Sequence, residues 1–118
     1  MTNLKRLEIV KQHNYDMAED MIKRHIELFG EYKRDDEIIE KILNDADKIK
    51  EKIIRVKEII ENIHDPITKA FIKEKFVNGE NWERISEKIG YSESYLYKLY
   101  NRAMKNPEIA EIKEILSR

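Results

Sequence analysis

Cysteine is absent from the 118 residues of this chain. Disulfides, thiolate zinc sites and a cysteine nucleophile are therefore excluded. Glycine and proline are scarce, with three and two residues, and no apolar run approaches the ~18 residues that a membrane span requires. We therefore expect a cytoplasmic, mainly helical protein that makes no contact with a membrane.

The sequence also lacks the residue patterns of common catalytic sites. Its histidines, His13, His25 and His64, do not form a pair one helical turn apart with a third ligand nearby, which disfavours a zinc site. Glycine-rich phosphate loops and serine elbows are missing, and the acidic residues alternate with lysines as on a solvated helix face. We predict no enzymatic activity, no cofactor and no metal ion.

Charged residues make up 40% of the chain and are unevenly distributed. Residues 67–105 hold eight basic residues against five acidic ones, whereas residues 1–63 hold thirteen against fifteen. A surplus of three positive charges is too small to establish nucleic-acid binding by itself. The difference in sign nevertheless predicts two parts with different roles.

In the first part, an unbroken apolar stripe with spacings of three and four predicts a long helix from about Asp36 to Ile63. Ile38, Ile54 and Ile59 widen this stripe on one side, beyond a narrow two-stranded seam. The repeat resembles that of a coiled coil. The stripe consists of Ile39, Ile42, Ala46, Ile49, Ile53, Val56, Ile60 and Ile63.

A weaker stripe precedes it and predicts a second long helix. Gly30 and the charged run that follows mark a reversal, with Asp35 or Asp36 as the cap of the next helix. We therefore predict an antiparallel helical hairpin over residues 1–65. The weaker stripe consists of Leu4, Leu7, Val10, Met17, Ala18, Met21, Ile22 and Leu28, with Asn14 as a polar interruption.

The wide apolar face of this hairpin requires a cover, because two helices packed only on each other leave part of it exposed. We predict a homodimer through the eight residues of the stripe from Ile39 to Ile63. The alternative is a monomer in which the C-terminal helices fold back over the same stripe.

The segment His64-Asp65-Pro66 ends the hairpin, because proline disfavours helix in the residue before it and suits the first turn of the next. We place a domain boundary there, so that residues 66–118 form the second domain. Its first helix ends near Gly79, and the next is capped by Asn81.

Residues 81–105, NWERISEKIGYSESYLYKLYNRAMK, predict a helix-turn-helix. Gly90 permits the positive φ that stops one helix, and Ser92 can cap the next. If Leu96, Leu99 and Ala103 face inward, the side chains of Ser94, Tyr97, Lys98 and Asn101 face outward. We expect Tyr91 and Tyr100 to pack at the core edge.

The run FIKEKFVNGENWERISEKIGYSESYLYKLYNRAM resembles the fourth region of bacterial sigma factors, and more closely phage-encoded transcription regulators built on it. The shared features are a glycine before a tryptophan-containing helix, a glycine-tyrosine-serine turn, and a recognition helix that ends in arginine-alanine. The resemblance covers about a third of the chain, residues 66–105. The N-terminal hairpin has no counterpart in it.

This resemblance implies binding to double-stranded DNA in the major groove, and contact with RNA polymerase as a further expectation. By position, Glu93, Ser94, Tyr97 and Lys98 correspond to residues that face bases. Because related motifs often carry arginines here, a different preferred sequence is expected. The full set of residues predicted to bind DNA is Ser92, Glu93, Ser94, Tyr95, Tyr97, Lys98, Asn101, Arg102 and Lys105, of which Ser92, Arg102 and Lys105 would contact phosphates.

A final helix is predicted from Pro107, with an apolar stripe of Ile109, Ile112, Ile115 and Leu116 that suits packing within the protein. Two other functions remain open. The chain could be the DNA-recognition subunit of a phage packaging terminase, for which a ring of more than two subunits is expected. It could also be a protein-interaction module that modulates RNA polymerase, for which no DNA binding is expected.

Overall fold

A computed structural model describes residues 2–32 and 36–117 of the chain, and its regular structure over these residues is entirely α-helical. This confirms the predicted all-α fold class. The helices are α1 (Asn3–Phe29), α2 (Glu37–Glu61), α3 (Pro66–Phe76), α4 (Trp82–Ile89), α5 (Glu93–Ala103) and α6 (Pro107–Leu116).

The first two helices pack as the predicted hairpin. Gly30 takes a φ of 80° and donates its N–H to the carbonyl of Ile26 at 2.7 Å, which ends α1. Asp36 then caps α2, because its carboxylate accepts from the N–H groups of Ile38 and Ile39 at 2.9 and 3.1 Å. Asp35, the other predicted cap, lies outside the described residues.

Contacts divide the chain into two compact units, which we call the C-terminal unit and the hairpin unit. The C-terminal unit contains Met1–Lys5 and Ile54–Arg118, and the hairpin unit contains Arg6–Ile53. Both α1 and α2 therefore contribute residues to both units. The boundary predicted between residues 65 and 66 coincides with the break between α2 and α3, which lies within the C-terminal unit.

The stripe of eight residues predicted for dimerisation lies on the inner face of α2. In the hairpin unit Ile39, Ala46 and Ile53 are buried, and Ile42 and Ile49 are half-buried. Its remaining members belong to the C-terminal unit. There Val56 and Ile60 are buried, and Ile63 is half-buried. One chain thus already covers most of this stripe, so most of it is not available to a second copy.

The weaker stripe on α1 is only partly internal. Ala18 is buried, but Val10, Met17 and Leu28 are 46%, 37% and 76% exposed, so this stripe does not mark a single internal face. At about 100° per residue they lie roughly 80–100° from Ala18 around the helix axis. Leu4 is buried, while Leu7, Asn14, Met21 and Ile22 are half-buried.

The C-terminal unit has the larger core. Helices α3, α4 and α5 pack pairwise on one another. They bury Phe71, Ile72, Ile85 and Leu96 completely. This three-helix arrangement contains the predicted helix-turn-helix, and in it α5 packs against both α3 and α4.

Helix α6 packs within the same unit, as its apolar stripe predicts. Its residues Ile109, Ile112, Ile115 and Leu116 are all buried. Two polar contacts join it to other segments of the unit. Arg55 forms a two-pronged ion pair with Glu111, with Nη2 2.8 Å from Oε2, and the Asn3 amide donates to the carbonyl of Leu116 at 2.9 Å.

Candidate nucleic-acid interface

The turn between α4 and α5 has the geometry that its sequence predicts. Gly90 ends α4 in the left-handed region, at φ 86° and ψ 17°. Ser92 has extended backbone angles, and its hydroxyl oxygen accepts from the N–H of Tyr95 at 3.2 Å. The hydroxyl of Ser86 on α4 donates to the carbonyl of Tyr91, a bond that ties the first helix to the turn. The chain thus changes direction within three residues.

Burial along α5 fixes which of its faces is free. Leu96 and Ala103 are buried and Leu99 is half-buried, as predicted for the inner face. On the opposite face, successive side chains are separated by four, three and four residues. They therefore form one line that runs along the helix and onto the residues just after it. This outer line contains Ser94, Lys98, Asn101 and Lys105, all of which are exposed.

An aromatic cluster around Trp82 fastens α5 to α3 and α4. The Trp82 ring lies 6.3 Å from that of Phe71, 4.9 Å from Tyr97 and 5.4 Å from Tyr100 between centroids. The ammonium of Lys75 lies 5.0 Å from the Trp82 ring centroid, in cation–π geometry. Half-buried Tyr100 confirms its predicted place at the core edge.

Two tyrosines next to the turn form a separate exposed pair. The rings of Tyr91 and Tyr95 are 5.1 Å apart, and the residues are 38% and 44% exposed. The prediction that Tyr91 packs at the core edge was therefore wrong, because its ring pairs with Tyr95 instead. Both rings are accessible to a partner at the N-terminal end of α5.

Ion pairs distinguish two groups among the basic residues of this region, and Lys73 on α3, which also forms no ion pair in the described structure, lies outside both. Lys88 bridges Glu74 and Glu80 at 3.1 and 3.3 Å, Lys69 contacts Glu61, and Arg84 lies 3.8 Å from Glu80. Within the described part of the chain, by contrast, no carboxylate forms an ion pair with the second group, Lys98, Arg102 and Lys105. Their charge is available to an anionic partner.

The bridge by Lys88 was not predicted from the sequence. Lys88 donates hydrogen bonds to the carboxylates of Glu74 and Glu80, and these bonds raise the pKa of its ammonium. Burial alone would raise the pKa of Glu74, but hydrogen bonds from Asn78 and Lys88 outweigh it and lower that pKa. The bridge links α3, the following loop and α4. Its partners are fourteen and eight residues away from Lys88, a spacing that no helical periodicity reveals.

All nine residues predicted to bind DNA are exposed, and the structure places them on α5 and its two ends. Three of them also have structural contacts: Ser92 caps the helix, Tyr95 pairs with Tyr91, and Tyr97 packs against Trp82 while remaining 49% exposed. The hydroxyl of Ser92 accepts within the cap and keeps its own O–H to donate.

The described residues contain no group of three histidine, aspartate or glutamate side chains placed to hold a metal ion. Among the described helices, none combines the length and the apolar character needed to cross a bilayer.

Comparison with protein-family models gives no match, and comparisons with curated proteins and with solved structures give no significant match.

Proposed function

We propose that this chain is a sequence-specific double-stranded DNA-binding transcription regulator that inserts α5 into the major groove. The observation that carries the proposal is the group of three exposed basic residues on α5 and just after its end, Lys98, Arg102 and Lys105, which have no carboxylate partner in the described structure. The neighbouring basic residues Lys69, Arg84 and Lys88 are paired. Unpaired cations on one helix face suit a row of phosphates.

The outer line of α5 adds groups that can read base edges. Lysine donates to the guanine O6 and N7 acceptors, and asparagine can pair with the N6 and N7 of adenine. Lys98 provides such a group at the middle of α5, and Asn101 provides one in its last turn. Glu93, in the first turn, can accept from the amino group of cytosine and would repel a phosphate. This combination of basic, amide and acidic side chains favours recognition of bases over uniform binding to phosphates.

The proposal predicts different results for Lys98→Ala and Arg102→Ala. Lys98 lies on the outer line, so its loss should cost about 1–3 kcal/mol on the preferred site and flatten the preference at one or two base pairs. Arg102 lies on the flank of α5, so its loss should weaken preferred and random DNA alike and lower the salt slope by about one unit. Selection from a random duplex pool gives the site, and binding curves at several salt concentrations give both quantities.

A matched control is Lys50→Ala, which removes one exposed positive charge from α2 in the hairpin unit. It should change affinity little, because Lys50 is not among the residues of the proposed binding face. Equal losses for all three variants would mean that net charge alone drives binding. If the intact chain bound no duplex, the DNA-binding function would be wrong.

The regulatory part of the proposal comes from the resemblance of residues 66–105 to sigma-factor-based regulators. A reporter gene with the selected site near its promoter tests it. Expression should change when the intact chain is present and return to its starting value with Lys98→Ala.

A further inference from the structure

Exposed apolar side chains are concentrated in the hairpin unit. Its buried apolar residues are Ala18, Ile39, Ala46 and Ile53, and two of these four are alanines. In the C-terminal unit thirteen apolar residues are buried, and its exposed large ones are Ile54 and three tyrosines that retain a polar hydroxyl. Seven large apolar residues of the described hairpin unit are exposed: Ile9, Val10, Met17, Ile26, Leu28, Phe29 and Ile38.

Three of these residues form a line along one flank of α1. Val10, Met17 and Leu28 are seven and eleven residues apart, so at about 100° per residue they deviate from a straight line by only about 20°. This line spans 18 residues, or about 27 Å of helix. We call it the α1 flank.

The α1 flank borders a shallow groove within the hairpin unit. Asn14 and Met17 line one wall of this groove, and α2 provides the other. Ile38, which is 65% exposed, stands on the α2 wall beside half-buried Ile42. The apolar surface therefore continues from one helix to the next. The other residues of the α2 wall are Glu37, Lys41 and Asp45.

We propose that a second copy of this chain covers the α1 flank and the groove, so that two hairpins form an antiparallel four-helix dimer. A two-helix hairpin with a small core is half of such a bundle. The α2 wall of the groove contains both Lys41 and the acidic residues Glu37 and Asp45. In an isologous interface the same patch meets itself, and a patch with both signs of charge is self-complementary.

The area corresponds to a weak interface. The α1 flank, about 10 Å wide and about 27 Å long, and the α2 wall from Glu37 to Asp45, about 12 Å long, together present about 400 Å² per copy. The pair would bury about 800 Å², which lies in the range of weak and transient complexes. We therefore expect a dimer that dissociates on dilution.

Charge argues against nucleic acid and anionic membranes as the occupant. Residues 6–53 contain ten lysines and arginines against thirteen aspartates and glutamates, a net charge of −3. This unit therefore offers no net electrostatic attraction to a phosphate-bearing surface.

Sedimentation equilibrium of the full chain without DNA tests the dimer over a wide concentration range. We expect a reversible monomer–dimer equilibrium. Val10→Glu should weaken it at least about tenfold, because it places one charge from each copy in an apolar interface. Ile38→Glu should have the same effect from the other wall of the groove.

Ile26→Glu is the matched control. Ile26 and Val10 are both 46% exposed, but they lie about 160° apart around α1. The control should leave the dimer intact, and thermal unfolding followed by circular dichroism should show that all three variants fold. A chain that stays monomeric at all concentrations would overturn the proposal. So would a dimer weakened only by Ile26→Glu, or a ring of more than two subunits.

Discussion

At the scale of single residues, a side-chain oxygen begins each described helix. The sequence predicts Asn81 and Ser92 in this role and offers Asp36 as one of two candidates, because each precedes an apolar-periodic segment. It does not predict the cap at Asp65, because the proline that follows already explains the break. The six capping residues are Thr2, Asp36, Asp65, Asn81, Ser92 and Asn106.

Asp65 offers a test through pH. The hydroxyl and then the backbone N–H of Thr68 donate to its carboxylate and lower its pKa. Because the folded pKa lies below the unfolded value, this stabilisation is complete above the unfolded pKa of about 3.9 and is lost as pH falls through the folded pKa. Asp65→Ala should cost about 1 kcal/mol near neutral pH, and the difference from the original chain should shrink below about pH 4.

The control for this prediction is Asp65→Asn, which keeps an oxygen acceptor at the cap but has no charge to titrate. Urea unfolding of the three proteins between about pH 7 and about pH 3 gives the comparison. If Asp65→Ala cost the same at every pH, the carboxylate charge would not be the source of the stabilisation.

At the scale of elements, the sequence predicts the existence and order of the helices well but not which side of a broad stripe is internal. The apolar stripe on α1, with its spacings of three and four residues, contains both Ala18, which is buried, and Leu28, which is 76% exposed. On α5 the inner face is predicted correctly, because the positions of Gly90 and Ser92 fix where the helix begins. The local signal of Gly90 and Ser92 thus located the candidate site on α5. The internal side of the hairpin helices, by contrast, depends on tertiary contacts that the sequence pattern does not show.

Gly90 is the strongest of these local signals and can be tested directly. A Cβ at this position would meet no atom within 4 Å, so only the positive φ of 86° opposes a side chain. We expect Gly90→Ala to destabilise the fold by about 1–2 kcal/mol. It should also weaken DNA binding, because relief of the strain changes the direction of α5.

Gly30→Ala is the matched control, since Gly30 has a φ of 80° and equally open surroundings but lies at the hairpin reversal. Urea unfolding should show a similar loss of stability for both variants, while DNA affinity should fall only for Gly90→Ala. Equal affinities of the two variants would mean that the turn geometry does not direct α5 in binding.

At the scale of the whole molecule, the C-terminal unit draws its core from both ends of the chain. Asn3 bonds to Leu116, 113 residues away, and Arg55 pairs with Glu111. The sequence places a boundary at Pro66 because the local break there is clear. It could not show that residues on the far side of that break complete the same core, because apolar periodicity does not identify packing partners.

This shared core predicts that residues 66–118 do not form a stable fold alone. That fragment would lose Val56, Ile59 and Ile60, each at most 3% exposed, and also Leu4. Burial of each such side chain contributes about 1.5–3 kcal/mol, so the combined loss of four is comparable to a whole domain stability of about 5–15 kcal/mol. A fragment of residues 54–118 restores three of the four and should recover most of the helical signal. Circular dichroism melts compare both fragments with the full chain. A cooperative transition of residues 66–118 at the same temperature as the full chain would show that the helix-turn-helix is an independent domain after all.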